Sequence, residues 1–221
     1  MLLALDTATK TVGIAVHDGT QVLGECVWRS QGHHSRELAP EVAMMLRRVG
    51  VEAAALSALA VSLGPGSFNG LRIGMALAKG IALAHNLPLV GIPTHDILAR
   101  NQPRRETALV IVIEAGRGRV AALWYKWGRA GWKGVGQPER LTWDELLARL
   151  DRPVYLCGEI DPEQRRALAR DRRVALAPPA ECIRRPGFLA EMAWERLKGG
   201  KRPDAATLAP MYLRTRDEAA R

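Results

Sequence analysis

Residues 1–28, MLLALDTATKTVGIAVHDGTQVLGECVW, contain three apolar segments separated by residues that favour turns. The segments 2–5, 12–16 and 22–28 are short, and valine recurs in the last two, which is typical of β-strands. The pair Asp18-Gly19 separates the last two segments and favours the tight turn of a β-hairpin. The chain therefore begins with a predicted antiparallel meander of three strands.

The following residues alternate between helical and strand patterns. Apolar residues recur at helical spacing after Ser35, the predicted N-cap, until Gly50 ends the pattern. The composition then predicts an apolar strand at 58–63, an Ala-rich helix at 69–85 and a further strand at 87–92. The predicted element order of the first half is therefore βββαβαβ.

The chain has 221 residues, which fits one large domain or two lobes of roughly 100 residues each. The polar segment 101–105 contains Pro103 and is the predicted boundary, which divides the chain into residues 1–102 and 103–221. The second half shows a predicted hairpin and then alternating elements, with strands at 108–114, 120–127, 154–157 and 174–176 and helices at 143–150, 163–170 and 188–197. We therefore expect the second lobe to be a smaller α/β lobe.

The order βββαβαβ resembles the ribonuclease H-like lobe of the superfamily that contains actin, hexokinase and Hsp70. Proteins of this superfamily contain two such lobes, so the resemblance implies an α/β, actin-like ATPase fold (ribonuclease H-like, ASKHA). Each lobe is then expected to hold a mixed sheet with flanking helices, and the second lobe is expected to be reduced. In the superfamily, the turn between the first two strands cradles nucleotide phosphates.

The corresponding turn in this chain contains Asp6, Thr7, Thr9 and Thr11. In the superfamily an Asp at the end of the first strand meets the metal, and hydroxyl and N–H groups hold the phosphates. Two interpretations are open: a vestigial phosphate loop formed by Asp6, Thr7 and Thr9, or a hairpin turn capped by the Asp6 carboxylate. The other phosphate- and adenosine-binding glycine loops of the superfamily are not visible in the sequence.

A glycine-rich loop, Gly64-Pro65-Gly66-Ser67-Phe68-Asn69-Gly70, follows the strand predicted at 58–63. Its glycine spacing is one residue too long for the dinucleotide fingerprint, and it lacks the Gly-Lys-Ser/Thr ending of a P-loop. It is either a tight strand-to-helix turn whose glycines adopt positive φ or a loop whose free N–H groups hold an anion. The sequence leaves both interpretations open.

Small residues line one face of the helix predicted at 69–85, where Gly70, Gly74, Ala78 and Ala82 recur every four residues. A face without large side chains lets another helix approach closely, and the helix that follows Ser35 is a natural neighbour. The two helices either pack together on their own sheet or form half of an intermolecular bundle.

The net charge of +9 is unevenly distributed, because residues 1–100 carry +1 and residues 101–221 carry +8. A basic second half either faces a polyanion such as RNA or is a solvated, Arg-rich surface. The basic pairs are scattered and not interleaved with aromatic residues; they lie at 104–105, 165–166, 172–173 and 184–185. No stacking platform for single-stranded nucleic acid is therefore predicted.

Several classes of site lack support in the sequence. Cys26, Cys157 and Cys182 form no C-x-x-C pair, so we expect reduced, buried thiols. The five histidines form no H-x-x-x-H or H-E-x-x-H pair and no G-x-S-x-G motif occurs, so neither a metal site nor a nucleophilic catalytic site is predicted. No apolar run approaches the ~18 residues of a membrane span and no secretory signal is visible, so we expect a cytoplasmic protein that does not bind a membrane.

Three motifs closely resemble those of the bacterial TsaB (YeaZ) family: LALDTAT at 3–9, HSRELAP at 34–40 and GPGSFNGLRIG at 64–74. The third motif is the most specific, and its family-typical residues are Gly64, Pro65, Gly66, Ser67, Gly70 and Arg72. PMYLR at 210–214 resembles the family's C-terminal motif. Two departures occur: Asn69 stands where the family usually has Thr, and Glu114 stands where it usually has Asp.

The resemblance implies a subunit with no catalytic site, cofactor or metal of its own. TsaB proteins pair with the catalytic subunit TsaD, joined by the ATPase TsaE. Their complex forms N6-threonylcarbamoyladenosine (t6A) next to the anticodon of tRNAs that read ANN codons. ATP and metal are therefore expected on the partner subunits, and tRNA is expected to bind through the complex.

In the family, two first-lobe helices of TsaB and two of TsaD form a four-helix bundle. Carried over to this chain, the contact residues are Leu38, Val42, Met45 and Leu46 of the first helix and Leu71, Gly74, Met75 and Ala78 of the second. A homodimer of the isolated chain through the same helices stays open. Two other hypotheses also stay open: an actin-like ATPase or kinase that acts on its own through the Asp6 and Thr7 loop, and a stand-alone RNA-binding or protease-like protein.

Overall fold

The computed structural model describes residues 1–200 and 205–213. The chain divides into two units: unit 1 consists of Met1–Ile97 and Arg184–Met211, and unit 2 of Leu98–Ile183 and Tyr212–Arg221. Arg214, the last residue of the motif that resembles the family's C-terminal motif, lies outside the described residues.

The predicted order βββαβαβ is confirmed in the first half of the chain. The elements of this half are β1 (Leu2–Asp6), β2 (Thr11–His17), β3 (Val22–Arg29), α1 (His34–Arg48), β4 (Ala58–Ser62), α2 (Phe68–His85), β5 (Leu89–Ile92) and α3 (Thr94–Arg100). Those that follow are β6 (Ala108–Glu114), β7 (Arg119–Gly128), β8 (Gly131–Thr142), α4 (Trp143–Ala148), β9 (Val154–Gly158), α5 (Pro162–Leu168), β10 (Val174–Leu176) and α6 (Pro186–Lys198). None of the helices in the described residues is long and apolar enough to cross a membrane.

The sheet of unit 1 has five strands in the order β3-β2-β1-β4-β5. Strands β1, β2 and β3 are antiparallel neighbours, whereas β1, β4 and β5 run parallel. Leu3 and Leu5 of β1 share a buried cluster with residues of α1 and α2, and Leu2 and Ala4 share one with residues of α6. Because helices cover both faces of β1, its sequence is an unbroken apolar run rather than an alternating one.

Helices α1 and α2 begin in different ways. The prediction of Ser35 as the N-cap of α1 is wrong, because the helix already begins at His34 and no side chain caps it. Helix α2 begins after Ser67, whose hydroxyl accepts a hydrogen bond from the N–H of Gly70 at 3.3 Å. It ends at Asn86, which adopts the left-handed conformation with φ of 51°.

The sheet of unit 2 repeats the same plan, in the order β10-β9-β6-β7-β8. Strand β8 is not among the predicted elements, because Gly131, Gly134, Gly136 and Pro138 interrupt the alternation of its side chains. The second lobe is expected to be smaller, and the difference lies in the lengths of its helices. Helix α4 has 6 residues and α5 has 7, whereas α1 has 15 and α2 has 18.

Helix α6 corrects the predicted division into residues 1–102 and 103–221. The helix follows the strands of unit 2 in the sequence, but Leu189, Ala190 and Ala193 pack in one buried cluster with the β1 residues of unit 1. Small residues on this face let the helix lie close to the sheet. The boundary also lies earlier than predicted, after Ile97 and within α3.

Candidate functional site

The turn between β1 and β2 holds a buried ion pair. Asp6, the last residue of β1, accepts a hydrogen bond from Nε of Arg184 at 2.7 Å, and both side chains are at most 2% exposed. The other carboxylate oxygen of Asp6 accepts the N–H of Ala8 at 3.0 Å. Both oxygens of this carboxylate therefore have partners within the chain, as a buried charge requires.

Arg184 also donates from a second guanidinium nitrogen to the same turn. Its Nη2 donates to the hydroxyl of Thr9 at 2.8 Å and to the carbonyl of Thr11 at 3.1 Å. In the phosphate-loop interpretation Asp6 and Thr9 face a metal ion and a phosphate, whereas here they face a cation that the chain itself supplies. The alternative interpretation of a capped turn fits the hydrogen bond from the N–H of Ala8 to Asp6.

Thr7 is bound to α2 and β4 rather than to Arg184. Its hydroxyl donates to the carbonyl of Gly70 at 2.8 Å, and its N–H donates to the hydroxyl of Ser62 at 3.3 Å. The structure therefore brings Asp6 and Thr9 together around one cation and places Thr7 in a separate contact with the start of α2.

The glycine-rich loop packs directly on this turn. Cβ atoms placed at Gly66 and Gly70 would overlap the carbonyl oxygens of Ala8 and Thr7. A gap that is too small for a Cβ atom is also too small for a phosphate group. The structure therefore supports the interpretation of a tight strand-to-helix turn, and close packing is the reason for these glycines.

The other residues of the family motif divide between the interior and the surface. Gly64 and Pro65 are buried, and Gly64 adopts a φ of +110° that favours glycine. Arg72 is exposed, and its guanidinium lies 3.9 Å from the centre of the Phe68 ring. Because Phe68 is 50% exposed, the start of α2 presents a cation stacked on an aromatic ring at the surface.

The eight residues predicted to contact a partner are all buried inside unit 1. They lie on the faces of α1 and α2 that pack onto the sheet: Leu38, Val42, Met45, Leu46, Leu71, Gly74, Met75 and Ala78. Gly74 shows how close this packing is, because a Cβ atom there would overlap the side chain of Thr7. In the structure these eight residues form part of the core of unit 1, and their contact with a partner stays a prediction.

The opposite faces of α1 and α2 are exposed and mostly apolar. We call this surface the outer helix face; it consists of Ala39, Pro40, Ala43 and Met44 of α1 and Ile73, Ala76, Leu77, Gly80, Leu83 and Ala84 of α2. Leu83 is 73% exposed, and Ile73 and Leu77 are partly exposed. The small residues leave the surface flat, which lets a helix of another protein approach closely.

Charged side chains flank the outer helix face. Arg36 and Arg47 of α1 and Arg72 of α2 are exposed. The acidic Glu37 is bound instead to Trp28, whose indole N–H donates to it at 2.9 Å and lowers the pKa of the carboxyl. The lowered pKa keeps Glu37 ionised, and Glu41 of α1 is partly exposed, so the flank carries both signs of charge with arginine in excess.

All three cysteines are free thiols, but only Cys157 is buried. The prediction that Cys26 and Cys182 are buried is wrong, because both are partly exposed. Cys157 and Cys182 come together in unit 2, with their Sγ atoms 3.8 Å apart. Among the residues that the structure describes, no group of three or more His, Cys, Asp or Glu side chains is arranged to hold a metal ion.

Comparison with known proteins identifies the family. The family model of the tRNA N6-adenosine threonylcarbamoyltransferase TsaD matches residues 28–145. The tRNA threonylcarbamoyladenosine biosynthesis protein TsaB of Escherichia coli (strain K12) is 34% identical over 162 residues, which cover 72% of this chain and 68% of that protein. The chain belongs to the TsaB family. TsaB of Bacillus subtilis (strain 168) is 28% identical over 226 residues, which cover 100% of this chain and 96% of that protein.

The solved structures include a TsaB-type fold that matches nearly the whole chain. YeaZ from Pseudomonas aeruginosa superposes with a TM-score of 0.78 at 25% identity, and the match covers 96% of this chain and 99% of YeaZ. The resemblance to the TsaB family and the α/β, actin-like fold with two mixed sheets and flanking helices are both confirmed. The matched residues 28–145 include α1 and α2.

Arg184, which decides the chemistry of the turn between β1 and β2 in this TsaB family member, could not be predicted from the sequence. Arg184 lies 178 positions from Asp6 and belongs to one of four scattered basic pairs, so no local pattern distinguishes it. One indirect signal existed, because a carboxylate at the end of a fully buried strand requires a cation or several donors. That signal predicts a partner for Asp6 but does not say where in the chain the partner lies.

Proposed function

We propose that this TsaB family member is a non-catalytic subunit of the complex that forms t6A next to the anticodon of tRNAs reading ANN codons. In this proposal it binds and orders the catalytic subunit TsaD. The names of its relatives support the pathway, and the matching TsaD family model supports a partner of related fold. One structural observation carries the non-catalytic role: the guanidinium of Arg184 lies in the turn formed by Asp6 and Thr9.

The ion pair between Arg184 and Asp6 argues against the binding of a nucleotide at the turn between β1 and β2. A phosphate-binding turn needs a carboxylate that is free to meet a metal ion and hydroxyls that are free to meet phosphates. Asp6 and Thr9 are instead bound to Arg184, and Thr7 donates to Gly70. The alternative function, an actin-like ATPase or kinase acting through Asp6 and Thr7, requires these bonds to break first. We therefore assign ATP and metal to the partner subunits.

The outer helix face is the proposed binding surface for TsaD. Ala43, Ala76 and Gly80 permit a short distance between helix axes, and the partly exposed Ile73 and Leu77 supply apolar area for a partner to cover. Two helices of TsaD would complete a four-helix bundle with α1 and α2. A second copy of this chain presents the same surface, so we expect a homodimer through this face when TsaD is absent.

A subunit without a reacting group accelerates a reaction by changing the conformational equilibrium of its partner. If the chain binds one arrangement of TsaD more tightly than the others, it shifts the population toward that arrangement. This coupling requires no contact between the chain and the reacting atoms. TsaE and tRNA would then bind the ordered TsaD. The proposal implies that the protein works in the cytoplasm.

Transfer of threonylcarbamoyl to tRNA tests the proposal in a mixture of TsaD, TsaE, ATP and a threonylcarbamoyl donor, with and without this chain. We expect transfer to depend on the chain. Ala76→Glu should abolish both TsaD binding and transfer, because it buries an unpaired charge in the helix contact. Ala148→Glu introduces the same charge at an exposed position of α4 and should behave like the unmodified chain. Equal transfer with and without the chain would overturn the proposal.

Nucleotide titration separates the proposal from the ATPase alternative. Calorimetry of the isolated chain with ATP and Mg²⁺ is expected to show no binding, because Arg184 already holds the Asp6 carboxylate. ATP binding and turnover that Asp6→Ala removes would favour the alternative instead. A stand-alone protease-like protein would cleave peptides without TsaD, and a stand-alone RNA-binding protein would leave the transfer assay independent of the chain.

A further inference from the structure

The tip of the hairpin formed by β7 and β8 in unit 2 carries two cross-strand pairs of different character. Lys126 lies opposite Lys133, and Trp127 lies opposite Trp132. Because neighbouring residues of a strand point to opposite faces, the lysines lie on one face of the ribbon and the tryptophans on the other. Arg129 lies in the turn that joins the two strands.

The cations at this tip, Lys126, Arg129 and Lys133, are not in ion pairs with a carboxylate within the described residues. Glu139, the acidic residue of β8, is paired with Arg149 at 2.7 Å. Like charges directly opposite each other are destabilising, so the Lys126–Lys133 pair does not contribute to the stability of the hairpin. An anionic ligand would remove this repulsion.

Trp127 presents an exposed aromatic surface on the face of the ribbon opposite the two lysines. Its side chain is 41% exposed, and its ring stands edge-on to that of Trp132, with the ring centres 5.2 Å apart and an angle of 88° between the planes. Trp132 is held in place because its indole N–H donates to the carbonyls of Gln102 at 3.2 Å and Pro103 at 3.3 Å. Trp127 therefore contacts a ring that is held in place and stays partly exposed itself.

We propose that this hairpin tip, formed by Lys126, Trp127, Arg129 and Lys133, is a binding site for RNA. The three cations would contact phosphates, and an unpaired base would stack on Trp127. The charge of +8 on residues 101–221 attracts the same ligand over a longer range. A protein partner fits less well, because the cores of protein interfaces are depleted in lysine. The proposal that this hairpin tip binds RNA rests on the hairpin residues alone. The choice of tRNA as that RNA rests on the proposed function.

The affinity of the full chain for an unmodified tRNA transcript, measured by fluorescence anisotropy over a series of salt concentrations, tests the site. The double variant Lys126→Ala/Lys133→Ala is expected to lower the affinity about tenfold, and to reduce the slope of log affinity against log salt by about 1.4. The double variant Arg170→Ala/Arg172→Ala removes the same charge next to β10, at the opposite edge of the sheet. We expect this control to change the affinity by less than about twofold.

Two variants of the tryptophan test the stacking. Trp127→Leu is expected to weaken binding about fivefold or more, whereas Trp127→Phe keeps an aromatic face and should retain most of the affinity. Equal losses for the hairpin and control double variants would mean that RNA responds only to net charge, and the site would be wrong. Unchanged tRNA affinity in every hairpin variant would also overturn the proposed RNA site. If those variants instead lost binding of a protein, the hairpin tip would be a protein-binding surface and the proposal would be wrong. These measurements use the chain without TsaD, so their failure is separate from a failure of the transfer assay.

Discussion

The guanidinium of Arg184 lies 2.7 Å from the carboxylate of Asp6, although the two residues are 178 positions apart in the sequence. The pair joins the end of β1 to the segment that leads into α6, and both side chains are buried. Asp6 therefore helps to hold the two sequence segments of unit 1 together, in addition to forming the turn between β1 and β2.

Removal of the cation should be costly. Arg184→Met is expected to lower the free energy of unfolding by about 3–5 kcal/mol, because it leaves the buried Asp6 carboxylate without its partner. Combining it with Asp6→Asn leaves two neutral side chains and should recover much of this loss. Urea unfolding of the two variants and the unmodified chain gives the free energies for comparison.

The adjacent Arg185 provides the matched control. Its side chain is 55% exposed and pairs with Glu25 at the surface. Arg185→Met should therefore cost no more than about 1 kcal/mol, as is usual for exposed ion pairs. Similar costs for Arg184→Met and Arg185→Met would show that Asp6 does not depend on its buried partner.

The two glycines in the middle of α2 should respond in opposite ways to alanine. Gly74→Ala is expected to destabilise the chain by about 1–3 kcal/mol, because the new Cβ atom would overlap Thr7. Gly80→Ala has no atom within 4 Å of the new Cβ and should stabilise the helix by up to about 1 kcal/mol. Urea unfolding of both variants measures these changes, and a change of the same sign in both would contradict the packing of α2 on the turn at Thr7.

The order of elements in unit 1 could be predicted because each element has a strong local pattern. Strand β8 could not, since Gly134, Gly136 and Pro138 hide its alternation and its position depends on pairing with β7. Helix α6 shows a second limit. Its periodicity predicts a helix, but the small residues Ala190 and Ala193 suit close packing on either sheet, so the pattern does not indicate which unit the helix joins.

For the candidate site as well, the sequence predicts which residues share a helix face but not what that face contacts. Periodicity correctly groups residues such as Leu38 and Met45 on one face of α1, but it does not tell whether that face meets the chain's own sheet or a partner. Both side chains are buried inside unit 1. Met45→Glu is therefore expected to destabilise unit 1 rather than to block a partner selectively, because it would place a charge in the core.

The hydroxyl of Ser67 caps α2, which gives the glycine-rich loop a structural role. Ser67→Ala is expected to cost about 1 kcal/mol of unfolding free energy, because the N–H of Gly70 loses its acceptor. Ser67→Asp should retain most of the stability, since a carboxylate accepts the same hydrogen bond and is favourable at a helix N-terminus. Urea unfolding compares the variants, and equal losses for both would show that the hydroxyl does not cap the helix.

The two neighbouring thiols of unit 2, Cys157 and Cys182, should have widely different pKa values. A hydrogen bond from Cys157 lowers the pKa of Cys182 to about 6, with smaller contributions from the N–H of Gly158 and from Arg165. The pKa of Cys157 is raised, because it keeps the shared proton and is buried. In a Cys26→Ser background, the rate at which iodoacetamide alkylates Cys182 should therefore reach its plateau above about pH 7.

Removal of the donor tests the cause of this shift. Cys157→Ala should raise the pKa of Cys182 toward the ordinary value of about 8.5, because the thiolate loses the hydrogen bond that stabilises it. The midpoint of alkylation rate against pH, followed by mass spectrometry in the Cys26→Ser background, should then move upward by about two pH units. Arg152→Ala removes an exposed charge elsewhere in unit 2 and should leave the midpoint unchanged. A midpoint near the ordinary value that Cys157→Ala does not alter would show that the two sulfurs do not share a proton.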